Sequence, residues 1–94
     1  MAQVKVTQAH QLSVDEARQR MQGFEDMIKK YGVRTEWKGS KAAIKGTGVS
    51  GSIEVGRSKV DVVVKLGMLA RAAGVDAKRL EGSIRRRLVE AFEG

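Results

Sequence analysis

The sequence predicts an α+β fold, a five-stranded antiparallel sheet with two helices on one face, in the chain order β-α-β-β-β-β-α. Three observations carry that prediction. Val14, Ala17, Met21, Phe24, Ile28 and Tyr31 recur every three or four positions, the pattern of one helix face. From Val33 to Leu66 the apolar residues alternate instead, as half-buried strands do. A second stripe of Ala77, Leu80, Ile84, Leu88, Ala91 and Phe92 fills an arc of about 120° on a helical wheel.

The elements follow in order. Val4 and Val6 alternate with Lys5 and Thr7, which predicts a short first strand. The run from His10 to Arg18 ends that strand and opens a helix. Ser13 precedes Glu16 by three residues, the reciprocal spacing of a capping box, and Asp15 and Glu16 put negative charge at the positive end of the helix dipole. Lys29 and Lys30 suit the other end, and Gly32 can take the left-handed conformation that stops the helix, so residues 13–31 are predicted as one helix. Val33, Thr35 and Trp37 then share a strand face, opposite Arg34, Glu36 and Lys38. Gly39-Ser40 is a two-residue turn leading to a weaker strand, Lys41–Lys45, with Ile44 as its main apolar residue. Val49, Gly51, Ile53 and Val55 form the next strand. After the turn at Gly56-Arg57-Ser58, Val60, Val62, Val64 and Leu66 form the strongest one. The connector from Gly67 to Gly74 is apolar for a loop. Asp76 is placed to cap a final helix over residues 77–92.

Short turns make strands two to five an antiparallel meander. Chain direction then lets strand one pair with strand five, giving the order 2-3-4-5-1. Both helices pack on the apolar face, and Arg34, Glu36, Lys38, Glu54, Asp61 and Lys65 mark the other face as solvated.

Ninety-four residues make a single domain. With no cysteine, disulfides and thiolate metal sites are ruled out, and a reducing compartment fits. The opening segment lacks the apolar core of a secretory signal. The longest apolar run, Val62-Val63-Val64, is far below the ~20 residues of a membrane span, so a cytoplasmic location is expected. The net charge of +7 invites a polyanionic partner. It is spread evenly, however: residues 1–47 carry nine basic against five acidic residues and residues 48–94 nine against six. That spread reads first as a solvated surface.

Few motifs carry chemistry. Gly46-Thr47-Gly48-Val49-Ser50-Gly51 matches the dinucleotide pattern, but that pattern needs a strand before it and a helix after it, and here it lies between two strands. His10, the single histidine, has no nucleophile or orienting carboxylate that the sequence can name, so a structural role bonding loop backbone is expected. No cofactor, metal or catalytic residue is assigned. Trp37 shares a face with Val33 and Thr35 and reads as core. Lys78, Arg79, Arg85, Arg86 and Arg87 form the densest basic cluster. Glu81–Arg85 and Arg86–Glu90 are candidate ion pairs within it.

His10-x-Leu12-Ser13-x-x-Glu16-Ala17-Arg18, Tyr31-Gly32, Glu36-Trp37, Gly48-Val49-x-Gly51-x-Ile53-x-Val55, the Val60–Leu66 strand with Gly67, and Ile84-x-x-x-Leu88 together resemble the polyhydroxyalkanoic acid system protein family. The resemblance spans nearly the whole chain, although Arg71–Lys78 is longer and more basic than the family pattern. It implies a non-enzymatic accessory role in polyhydroxyalkanoate storage, in granule formation or regulation. The element order is also similar to a reduced helix-grip fold. The expected partner is the granule surface or a granule protein, met by Met68, Leu69, Lys78, Arg79, Arg85, Arg86 and Arg87, which combine apolar and cationic groups. Two rival readings are a nucleic-acid-binding regulator using the basic last helix and a small apolar-ligand-binding domain related to START or cyclase folds. The open edge of strand two also allows a homodimer.

Overall fold

The computed structural model describes residues 2–72 and 74–93. Five strands, β1 (Ala2–Ala9), β2 (Val33–Lys38), β3 (Lys41–Gly46), β4 (Val49–Val55) and β5 (Lys59–Leu66), form one antiparallel sheet in the order β1-β5-β4-β3-β2. This is the predicted 2-3-4-5-1 order. Two-residue turns at Gly39-Ser40 and Thr47-Gly48 explain the meander, since so short a link can only return the chain beside itself. The glycine-rich run is therefore a strand-to-strand connection, with β3 and β4 in unbroken register across it. Central β5 pairs Val62 with Val6 and Ile53, and Val64 with Val4 and Gly51.

One face of the sheet carries the core. Val4, Val6, Ala42, Ile44, Ile53, Val60, Val62, Val64 and Leu66 are buried in one cluster with Ala17, Met21, Phe24, Ile28, Leu80, Ile84 and Leu88 from the helices. On the other face Arg34, Glu36, Lys38, Glu54 and Lys65 are exposed and Asp61 is half-buried. The two amphipathic stripes thus share one hydrophobic layer, whose burial drives the fold.

The helices depart from expectation in two places. The predicted helix 13–31 is divided into α1 (Val14–Arg20), α2 (Gln22–Ile28) and a 3-10 turn at Lys29–Tyr31. At Met21 the backbone tightens, its N–H reaching the Arg18 carbonyl at 3.1 Å, one position short of α-helical spacing. Gly23, a poor helix former, follows two residues later. The stripe keeps its phase across the break, so Ala17, Met21, Phe24 and Ile28 all stay buried. The Tyr31 side chain lies outside the described residues. The second departure is the connector: it contains a short helix, α3 (Met68–Ala72), before α4 (Ala77–Glu93). The side chains of Ala70 and Arg71, and all of Ala73, lie outside the described residues.

Ser13 and Asp76 cap their helices as predicted, but the reciprocal half of the capping box is replaced: the Glu16 carboxylate takes the Ser13 hydroxyl and not the Ser13 N–H. The Glu16 N–H donates to the Ser13 hydroxyl at 3.2 Å, and that hydroxyl in turn donates to the Glu16 carboxylate at 3.4 Å. Asp76 Oδ1 accepts from the Lys78 N–H at 2.8 Å and the Arg79 N–H at 3.4 Å. Gly32 closes the first helical region with φ of 73°, a left-handed value that a side chain would strain.

His10 has the structural role expected of it. Its Nδ1 accepts from the Leu12 N–H at 3.1 Å, which leaves Nε2 as the donor to the Gly56 carbonyl at 2.8 Å. The ring stacks on Phe92 with centroids 5.5 Å apart. This imidazole therefore ties the end of β1 to the β4–β5 turn and to the last turn of α4.

Candidate functional site

The structure divides the seven predicted contact residues into two groups. Met68 is 85% exposed and Leu69 65% exposed, the two most exposed large apolar side chains among the described residues. They sit on α3, whose start is tied down by the Gly67 N–H donating to the Gly48 carbonyl at 2.8 Å. After a four-residue link, Lys78 and Arg79 occupy the first turn of α4. Their amides are taken up by Asp76, their side chains are exposed, and neither has an ion-pair partner among the described residues. Met68, Leu69, Lys78 and Arg79 thus belong to the end of the molecule where the chain passes from α3 to α4.

Arg85, Arg86 and Arg87 lie about two turns further along α4. Arg85 pairs with Glu81 at 3.6 Å, as the spacing predicts. Glu90 pairs with Arg87 at 3.7 Å, not with Arg86. Arg86 has no ion pair among the described residues and lines a groove of ≈210 Å³ with Met27, Lys30 and Ser83. The predicted surface is therefore an apolar and cationic end, followed by a partly neutralised basic flank.

A second feature escaped the sequence. An open groove of ≈610 Å³ runs between α1–α2 and edge strand β2. At its floor half-buried Glu25 accepts two hydrogen bonds on Oε1, from the Thr35 hydroxyl and from Trp37 Nε1 at 2.6 Å. The Arg18 guanidinium lies 4.8 Å from the centroid of the Trp37 ring, within cation–π range. Trp37 is thus a half-buried residue at the margin of the core, because β2 is the last strand and the helices cover it only in part. The available signal was the indole N–H, which needs an acceptor once its ring packs inward.

The interior offers less room. A crevice lined by Ile28, Val33, Ile44, Val49, Val64, Leu66, Val75 and Leu80 has a volume of only ≈10 Å³, about what one water needs. An apolar ligand has no seat there without movement of the Val75 segment. No helix among the described residues is long and apolar enough to cross a membrane.

A filled core, one apolar and cationic end and a polar groove at the sheet edge define a small α+β protein. The chain belongs to the family described as "Putative polyhydroxyalkanoic acid system protein", whose model matches residues 4–92. Its role is accordingly in polyhydroxyalkanoate metabolism. Neither the curated proteins nor the solved structures provide a match.

Proposed function

We propose that this protein is a non-enzymatic accessory factor that docks on the surface of cytoplasmic polyhydroxyalkanoate granules through α3 and the start of α4. The exposure of Met68 and Leu69 on a five-residue helix supports this reading most directly. Two large apolar side chains held in water are a standing cost, and burying each in an apolar layer gains about 1.5–3 kcal/mol. Lys78 and Arg79, exposed at the start of α4 and without an ion pair among the described residues, would add about 1 kcal/mol each near an anionic coat. That total suits reversible association, short of permanent anchoring.

Granule sedimentation from polymer-accumulating cells tests it. Wild-type protein pellets with granules, Met68→Asp/Leu69→Asp stays in the supernatant, and Lys78→Glu/Arg79→Glu shows a partial loss that grows with salt. Equal pelleting of wild type and the Met68→Asp/Leu69→Asp variant would remove α3 as the contact.

A further inference from the structure

We infer that β2 is the seam of a homodimer, pairing antiparallel with β2 of a second copy about a two-fold axis at Thr35. The hydrogen-bond parity of the sheet supplies the first argument. The Ser40 carbonyl accepts from the Val55 N–H at 2.9 Å, so Ser40 faces β4. By alternation Ala42, Ile44 and Gly46 also face β4, while Lys41, Ala43 and Lys45 face β2. Their partners there are Lys38, Glu36 and Arg34. Val33, Thr35 and Trp37 therefore hold their amides and carbonyls at the open edge, where two antiparallel copies can exchange about six main-chain hydrogen bonds.

Side-chain complementarity fixes the register. With the axis at Thr35, Arg34 of each copy stands opposite Glu36 of the other on the solvated face, so two opposite-charge pairs form. On the helix face Thr35 meets Thr35, and Val33 meets Trp37 on both sides of the axis. Each of these pairs contributes to strand association. Moving the axis to Glu36 sets Glu36 against Glu36 and Arg34 against Lys38. Moving it to Arg34 sets two guanidiniums together. An axis at Trp37 leaves only the last three residues of β2 to pair strand against strand. The register with Thr35 at its centre pairs five of the six residues of β2, Val33 to Trp37, and opposes unlike charges across the axis. Glu36 already draws on Lys45 at 3.0 Å and Arg34 at 3.6 Å within its own chain, so the arriving guanidinium joins an existing network. The other edge, β1, carries Lys5 as its one charged residue and has no acid to answer it. The groove holding Glu25 and Trp37 borders this seam, and the second copy's β2 would wall its open side.

Sedimentation equilibrium on the intact chain tests the inference. The apparent mass should rise from 10.3 kDa toward twice that value with concentration. Arg34→Glu and Glu36→Arg should each sediment as monomers, because each sets like charges across the axis. Mixed in equal amounts, the two should form a heterodimer, and the double variant Arg34→Glu/Glu36→Arg should recover self-association. A measurement free of any substitution follows amide exchange in the wild type. Protection of the Val33, Thr35 and Trp37 amides should increase with concentration. A monomer at every concentration up to about millimolar overturns the inference and leaves the edge to an extended segment of some other protein. Undiminished dimerisation of both single variants, or protection gained in β1 instead, overturns it equally.

Discussion

Gly82 lies on the exposed side of α4, in mid-helix, and a Cβ built on it meets nothing within 4 Å. Alanine is favoured over glycine inside a helix by about 0.8–1 kcal/mol, because glycine loses more backbone freedom on ordering. With no contact to disturb, Gly82→Ala should gain nearly that whole amount, which for a domain of about this size raises the melting temperature by roughly 3–8 °C. The same change at Gly51 should act in the opposite direction. There the added Cβ runs into the Val63 carbonyl oxygen, with the Val63 carbonyl carbon and Val64 Cα each at 3.0 Å. These are backbone atoms of the neighbouring interior strand β5 and cannot turn aside, so β4 and β5 must separate locally at a cost of about 3 kcal/mol. Against a total stability of about 5–15 kcal/mol, that is a large fraction. Urea titrations of both variants and wild type, run at one protein concentration so that self-association does not shift the midpoints, measure the difference. A neutral or destabilising Gly82→Ala, or a neutral Gly51→Ala, would refute the described path of α4 or the close approach of β4 and β5.

Three further outcomes follow from the same geometry. Glu25→Ala leaves the Thr35 hydroxyl and the Trp37 indole N–H without their acceptor and should cost about 1–3 kcal/mol, with a shift in tryptophan fluorescence as the readout. His10→Ala removes two hydrogen bonds and the stack on Phe92, so chemical denaturation should show a loss of about 2–3 kcal/mol. The hydrogen bond from Lys45, reinforced by its charge, holds the Glu36 carboxyl below the usual carboxylate range. The small stability this contributes is present above the ordinary carboxylate value and lost as pH falls through the lowered folded one, so Lys45→Met should flatten the acid limb of a stability–pH curve.

Local chemistry made the elements legible, and distance between elements hid the rest. Ser13 and Asp76 announced their helices because a cap acts within three residues of itself. Gly39-Ser40 and the glycine-rich link between Ile44 and Val49 made the meander legible through chain length alone. The break at Met21 was invisible, since one tightened turn leaves the apolar stripe in phase. α3 was hidden by its length, five residues being too few to show a helical period. Parity placed Trp37 on the correct face but could not tell how far the helices reach over an edge strand. Glu25, Thr35 and Trp37 converge from elements 10 and 12 residues apart, and neither a period nor a motif records such a meeting. The choice of Arg87 over Arg86 for Glu90 was equally out of reach, because offsets of three and four are both neighbours on a helix surface.

The imidazole of His10 works as a clasp. It fastens the finish of the long terminal helix, through Phe92, to both the first strand and the turn at Gly56, while some 20 Å away the beginning of that helix rests on the packing of Val75, Ala77 and Leu80 against the core. The two ends of that rod are therefore held by different means, side-chain bonds and a ring stack at the finish and apolar packing at the start. Loosening of that start would open the narrow apolar crevice that Val75 and Leu80 help to line, at the far end of the rod from the imidazole.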